Sequence, residues 1–257
     1  MIIRVIDGEN REIASATGDQ DAFLCLDRVY QAGDVIEIEG GTHLCVQMDQ
    51  TMPKANVFLP EGKMRWLVPH GEHRLAYAPG AFENQRHLIT AEWMTEEQIH
   101  TQRNIALNPA DLRGDVNFFP HCTANAETRG ESVFCVRNVI NGIRANTGHG
   151  EWPYLSWGVD ICQDPQALLE FGRPVRVTRM ALTLRADFPH DAYWKSGAVE
   201  LSDGATVEFE LGHTGERQYV DLGEHTITWI RLGKLVKGED PSPFPALTEW
   251  EIFGCDA

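Results

Sequence analysis

The sequence predicts an all-β protein made of two packed β-sandwich domains. Three observations carry that expectation. Short apolar or alternating segments recur along the chain, each bounded by Gly, Pro or Asp, as strands between turns are. Helical periodicity is confined to two short stretches. The composition, 42% apolar and 23% charged in 257 residues, is that of a globular chain long enough to bury a sizeable core.

The elements are read in order. Phe23-Leu24-Cys25-Leu26 is strand-like, and residues 35–39 (Val-Ile-Glu-Ile-Glu) alternate apolar and acidic side chains. Residues 44–48, 55–59 and 65–68 are further short apolar or alternating runs. Thr95 then opens a short helix as N-cap, with Gln98 completing a capping box. Phe134-Cys135-Val136 is again strand-like, and residues 165–169 read as one helical turn. Strands follow at 175–185, 197–202, 206–211, 217–222, 226–232 and 248–253. Ser202-Asp203-Gly204-Ala205 is a hairpin turn, because Asp-Gly readily adopts positive φ. Strands at this spacing indicate sandwiches or barrels.

A boundary is expected near Gln102, giving an N-terminal β-sandwich over 1–102 and a second unit over 103–257. Residues 1–102 carry 8 basic and 16 acidic groups and residues 103–257 carry 14 and 22, so each holds half of the net charge of −16. No linker or repeat separates them, which predicts direct packing. Such acidity argues against nucleic acid and against an anionic membrane surface. The first apolar run is cut by Arg4 and stopped by Asp7, too short for a signal-peptide core, and no stretch approaches the roughly 18 apolar residues of a membrane span. These features predict a soluble, cytoplasmic protein. The six cysteines (25, 45, 122, 135, 162 and 255) form no Cys-x-x-Cys pair and read as free, mostly buried thiols.

Six pieces of residues 103–257 occur in a familiar order. Asn104-Ile105-Ala106 looks like an N-x-A opening, and Thr123-Ala124-Asn125-Ala126 stands in place of A-S-A-S. Asn138-Val139-Ile140-Asn141-Gly142 is similar to an A-I-D-G turn, and Trp157-Gly158 follows where a tryptophan is expected. Leu169-Glu170-Phe171-Gly172-Arg173-Pro174 looks like D-L-G-x-P, and Leu247 to Gly254 is similar to a closing I-x-E-I-x-V-Y-G strand. Together they resemble the discoidin, or coagulation factor 5/8 type C, modules and related galactose-binding-like carbohydrate-binding modules. The resemblance implies a jelly-roll β-sandwich that binds glycans through loops at one end. It also implies a structural calcium near Asn141 and Glu249, although Asn141 replaces the usual Asp and offers less charge to a cation that prefers several oxygens. The plain alternative for Glu249 is a surface charge at a strand end. Residues 1–102 resemble no such family.

Three segments concentrate chemistry. Residues 146–158 place His149, Glu151, Trp152, Tyr154 and Trp157 among two glycines. Aromatic faces stack on the C–H faces of sugars, while carboxylates and imidazoles bond hydroxyls; Trp157 is expected to pin the loop from inside. Residues 184–195 hold Arg185, Asp187, His190, Asp191, Tyr193, Trp194 and Lys195 in one connecting loop, where binding groups tend to gather; ion pairs within the loop are the alternative. Residues 237–247 carry Glu239, Asp240 and Phe244 on a proline-stiffened loop, either a rigid ligand wall or a crossover. In the first unit, Trp66, His70, Glu72, His73, Tyr77, Phe82, Arg86 and His87 cluster in sequence. They read as a surface turn or one wall of a cleft, with His70 and His73 a weak metal pair.

No GxSxG, GxxxxGK[ST] or strand-following GxGxxG motif occurs. The first expectation is therefore a carbohydrate-binding protein, recognising a neutral sugar or oligosaccharide through His149, Glu151, Trp152, Tyr154, Arg185, Asp187, His190, Asp191, Tyr193, Trp194 and Lys195. The alternative is an intracellular glycoside hydrolase or lyase at the domain interface, with His149, Glu151, Asp187, His190 and Asp191 as catalytic candidates. A third reading is an oligomeric interaction module, which would make the protein a homo-oligomer.

Overall fold

Period-two alternation decides which side chains of the early strands meet. The computed structural model describes residues 1–187 and 192–257. The first part contains β1 (Ile2–Ile6), β2 (Glu12–Thr17), β3 (Asp21–Asp27), β4 (Val35–Glu39), β5 (His43–Gln47), β6 (Ala55–Phe58), β7 (Lys63–Leu67) and β8 (Arg86–Trp93). They form two four-stranded antiparallel sheets, in orders β2-β1-β4-β7 and β3-β8-β5-β6. In β3 the alternation is strict: Ala22, Leu24 and Leu26 point inward, and Asp21, Phe23, Cys25 and Asp27 outward. Ile3, Ile36 and Ile38 from one sheet meet Leu24, Val46 and Ile89 from the other in a single core. Phe118, Phe134 and Leu155, from later in the chain, complete that core. Each such side chain contributes roughly 1.5–3 kcal/mol by leaving water.

The helix α1 (Glu96–His100) follows. Its capping box forms as the sequence implies, with Gln98 N–H donating to Thr95 Oγ1 (3.2 Å) and Thr95 N–H to Gln98 Oε1 (2.8 Å). Among the described residues no helix is long and apolar enough to cross a membrane.

The second part contains β9 (Arg103–Asn104), β10 (His121–Ala124), β11 (Trp157–Gly158), β12 (Ala167–Leu184), β13 (Trp194–Leu201), β14 (Thr206–Glu210), β15 (Gln218–Lys237) and β16 (Ala246–Asp256). They pair into one eight-stranded antiparallel sheet, β11-β16-β12-β15-β13-β14, with β10 on β12 and β9 on β16. Register shifts between Glu170 and Val175 and between Val177 and Arg179 mark irregularities in β12. Trp157, Phe171, Trp194, Ile230 and Trp250 fill the core of this part. The fold is thus nearly all β.

Three sequence expectations need correction. Residues 165–169 are not a helical turn: β12 begins at Ala167, because Ala167, Leu169 and Phe171 alternate inward. Residues 217–222 and 226–232 belong to one strand, β15, with Gly223 at φ 78° inside it. Phe134-Cys135-Val136 is not a strand but the junction of two 3-10 turns, Ser132–Phe134 and Val136–Ile140. Glu127 holds that junction by accepting the Val136 N–H at 2.9 Å.

The two cores adjoin along a polar seam. His43 Nε2 is hydrogen-bonded to Asp256 at 2.8 Å, and Arg173 Nη2 donates to the same carboxylate at 2.8 Å. Later residues are tied to the first part as well: Phe58 and Phe119 exchange backbone hydrogen bonds of 2.7 and 2.9 Å, and Trp66 Nε1 donates to the Ala110 carbonyl at 2.7 Å within the first core.

Candidate functional site

The site is assembled at the C-terminal end of β12. Asn146 fixes its own loop there, donating through Nδ2 to the carbonyls of Leu184 (2.8 Å) and Gly215 (2.7 Å). Its carbonyl in turn accepts the Ala186 N–H at 3.0 Å. Arg185 ties in the loop over 237–247: its N–H donates to the Ala246 carbonyl (3.1 Å) and its Nη2 to the Phe244 carbonyl (3.2 Å). Arg185 and Asp187 are both buried and form an ion pair. The second oxygen of Asp187 is hydrogen-bonded to His149 Nδ1. A row of His149, Asp187 and Arg185 therefore links three segments that lie far apart in sequence. Burial of the two charges is tolerable because each neutralises the other. The carboxylate also fixes the orientation of the imidazole.

This row borders a pocket of about 400 Å³. His149, Arg185, Phe244, Asp160, Arg129 and Thr128 stand on its wall. Phe244 is 44% exposed, so much of its ring is open to a ligand. Gly158 is required beneath, since a Cβ there would lie 2.5 Å from Thr128 Oγ1. Arg129, Asp160 and Thr128 were not legible as site residues. Arg129 and Asp160 both hold positive φ (50° and 53°), a conformation the sequence does not announce for Arg or Asp.

The other candidate residues are distributed elsewhere. Trp157 is buried and donates through Nε1 to the Ala126 carbonyl at 2.8 Å, pinning the loop from within. Glu151 and Trp152 face a separate depression of about 230 Å³ beside Arg74 and Leu75. Trp152 N–H donates to the Leu75 carbonyl at 3.3 Å. Tyr154 packs on Gly148 and is partly exposed. Tyr193 stacks on His213, with ring centroids 4.3 Å apart and planes 4° from parallel. Trp194 is a core residue, its ring 5.9 Å from that of Trp157, so the structure does not place it on the loop surface. Lys195 is exposed on β13, and its carbonyl accepts the Leu211 N–H at 2.9 Å. His190 and Asp191 lie outside the described residues.

Glu249 is not a surface charge. It sits fully buried within β16, beside the buried Asn141. Both carboxylate oxygens take the Gly142 N–H, at 3.0 and 3.2 Å, and Asn141 Oδ1 takes that of Ile143 at 2.7 Å. Burial, and next the neighbouring Glu251, push the Glu249 carboxyl well above the usual carboxylate range. A calcium site needs six or more oxygens and ionised carboxylates. Here Glu249 and Asn141 accept backbone N–H groups, and these two side chains alone fall short of that number of oxygens.

In the first part, His70 and His73 are exposed. His73 Nδ1 is 3.6 Å from Glu72, whose Oε1 accepts from the Ser132 N–H and hydroxyl. His87 is buried, bonded to Asp49 (2.9 Å) and to the Arg28 carbonyl (3.1 Å), as a satisfied core histidine. Among the described residues no group of three or more His, Cys, Asp or Glu side chains is arranged to hold a metal. The described structure contains no disulfide: all six cysteines are free, three of them buried.

No protein-family model matches the chain, and no curated protein matches it. Among solved structures it is similar to chitosan-binding module 1 of a chitosanase/glucanase from Paenibacillus sp. IK-5, at 18% identity and a TM-score of 0.43, over 59% of this chain and 99% of that one. It is also similar to the family 32 carbohydrate-binding module of C. perfringens NanJ in complex with galactose, at 13% identity and a TM-score of 0.40, over 51% of this chain and 91% of that one. A third is the lectin domain of lectinolysin complexed with Lewis B antigen, at 12% identity and a TM-score of 0.44, over 62% of this chain and all of that one.

Proposed function

We propose that the protein binds a neutral sugar or oligosaccharide in the pocket between the loops at 146–158, 185–187 and 237–247. The observation that carries this reading is the His149–Asp187–Arg185 row opening beside the exposed ring of Phe244. A sugar presents C–H faces and hydroxyls together; an aromatic face takes the former, and imidazole, guanidinium and carboxylate groups take the latter. The wall carries both signs of charge, Arg129 and Arg185 against Asp160, which suits a polyhydroxylated ligand without net charge. Arg185 and Asp187 are locked by burial and by each other, so little ordering cost remains for binding.

Isothermal titration against a panel of monosaccharides and oligosaccharides tests this. Binding in the millimolar to micromolar range is expected, and Phe244→Ala should weaken it about tenfold, on the order of 1.4 kcal/mol. Silence across the whole panel sinks the reading. The His149–Asp187 hydrogen bond favours a second reading, a glycoside hydrolase or lyase with His149 as acid or base. Under it, an oligosaccharide digest changes on incubation and His149→Ala abolishes the change.

A further inference from the structure

A second cavity, of about 710 Å³, lies beside the first core. Its volume falls in the range of roughly 300–1,000 Å³ typical of sites for organic ligands. Part of its wall is apolar, from Leu67, Val68, Pro69, Leu112, Val116 and Tyr77. Arg137 also lines it, and is only 4% exposed. Its guanidinium stands 4.9 Å from the centre of the Tyr77 ring. Nη2 donates to the Pro109 carbonyl (2.9 Å) and Nη1 to Asn138 Oδ1 (3.3 Å), while Nε has no acceptor. Two hydrogen bonds leave most of the five N–H groups of an arginine unused.

The charge is equally unmatched. Among the described residues no carboxylate stands within ion-pair distance of Arg137. The other arginines on the wall are already neutralised: Arg65 by Glu37 at 2.5 Å and Arg113 by Glu127 at 2.8 Å. His73 lies 3.6 Å from Glu72, and Asp115 is exposed. An arginine does not deprotonate in a protein, so burial cannot be relieved by loss of the charge. A buried cation without a counter-charge is costly, and an anion arriving beside it removes that cost.

We propose that this cavity binds a small organic anion: a carboxylate on an apolar body, with the carboxylate held by Arg137. N–H groups of the guanidinium that its two protein acceptors leave unused can take a carboxylate in charge-assisted hydrogen bonds. One buried guanidinium without a carboxylate partner, beside an apolar stretch of wall, favours a monoanion over a compact dianion such as phosphate, whose second charge would find no such partner. The site is separate from the His149 pocket, and the proposal does not depend on sugar binding there.

Titration of the full chain with phenylacetate, its neutral amide phenylacetamide, and inorganic phosphate tests the proposal. Phenylacetate is expected to bind, with the amide at least tenfold weaker and phosphate without measurable heat. Arg137→Met should weaken phenylacetate at least tenfold and bring the acid and amide together. Leu67→Glu offers a second route that leaves Arg137 in place. Leu67 is 53% exposed, and a carboxylate there should weaken phenylacetate several-fold while sparing the amide. Phe244→Ala should leave phenylacetate binding unchanged. Equal affinity for acid and amide, phosphate binding in preference to phenylacetate, no binding of any probe, or wild-type affinity in both cavity variants would each overturn it.

Discussion

Single buried charges separate the roles of the acidic side chains. Asp187 is buried with a guanidinium on one side and an imidazole on the other, whereas Glu249 is buried against backbone N–H and another carboxylate. The second arrangement favours the protonated acid. A carboxyl whose folded pKa is raised binds more protons in the folded state than in the unfolded one. Stability therefore falls as pH rises from its unfolded value, about 4.3, toward the raised folded value. Glu249→Gln keeps an acceptor for Gly142 and carries no charge. It should be more stable than the parent at pH 7, with a flatter dependence on pH above 5. Denaturant melts across pH check this, and an equally steep dependence in the variant would refute the assignment. For Arg185 the opposite holds. Arg185→Met leaves Asp187 buried with less compensation, and should cost about 3 kcal/mol in the same melts.

At the scale of elements, close approach between strands sets the tolerances. Gly254 of β16 faces Val177 of β12, and a Cβ there would press into the Arg176 carbonyl. Gly254→Ala should therefore destabilise the β12–β16 pairing by about 2 kcal/mol or more, seen as a lower melting temperature and faster amide exchange in β16. Strands were legible where alternation encodes a buried face: residues 35–39 are β4 with the same bounds, and Thr95 and Gln98 form the capping box their spacing implies. Alternation also hides continuity. Gly223 falls between two expected strands, yet β15 runs through it. Residues 134–136 are as apolar as a strand, and only the distant Glu127 reveals the turn. The site divides in the same way. His149, Arg185, Asp187 and Phe244 stood out as chemistry packed into loops, while Arg129 and Asp160 reach the wall through tertiary placement alone. Trp152 and Trp194 carry the same aromatic signal as a ligand platform, but one faces a different depression and the other the core.

Across the whole molecule, Asp256 holds the seam. Burial alone would raise its carboxyl; hydrogen bonds from His43 and Arg173 more than offset this and hold it well below the usual range. A carboxyl with a depressed folded pKa contributes stability above its unfolded pKa, near 3.9, and loses it as pH falls further. Acidification below about pH 4 should thus weaken the protein steeply. Asp256→Asn should cost roughly 3 kcal/mol at pH 7 and show less of that acid dependence. Parallel acid titrations followed by tryptophan fluorescence distinguish the two curves. The strand that bears Asp256 also imposes an order on assembly. β16 follows β11 and β12 in sequence but lies between them in its sheet. During synthesis β12 emerges from the ribosome well before this partner exists, and it must wait with one flank of its backbone groups unpaired. The second core closes only once β16 has been made, and until then that flank is an open strand edge of the kind that pairs with other chains.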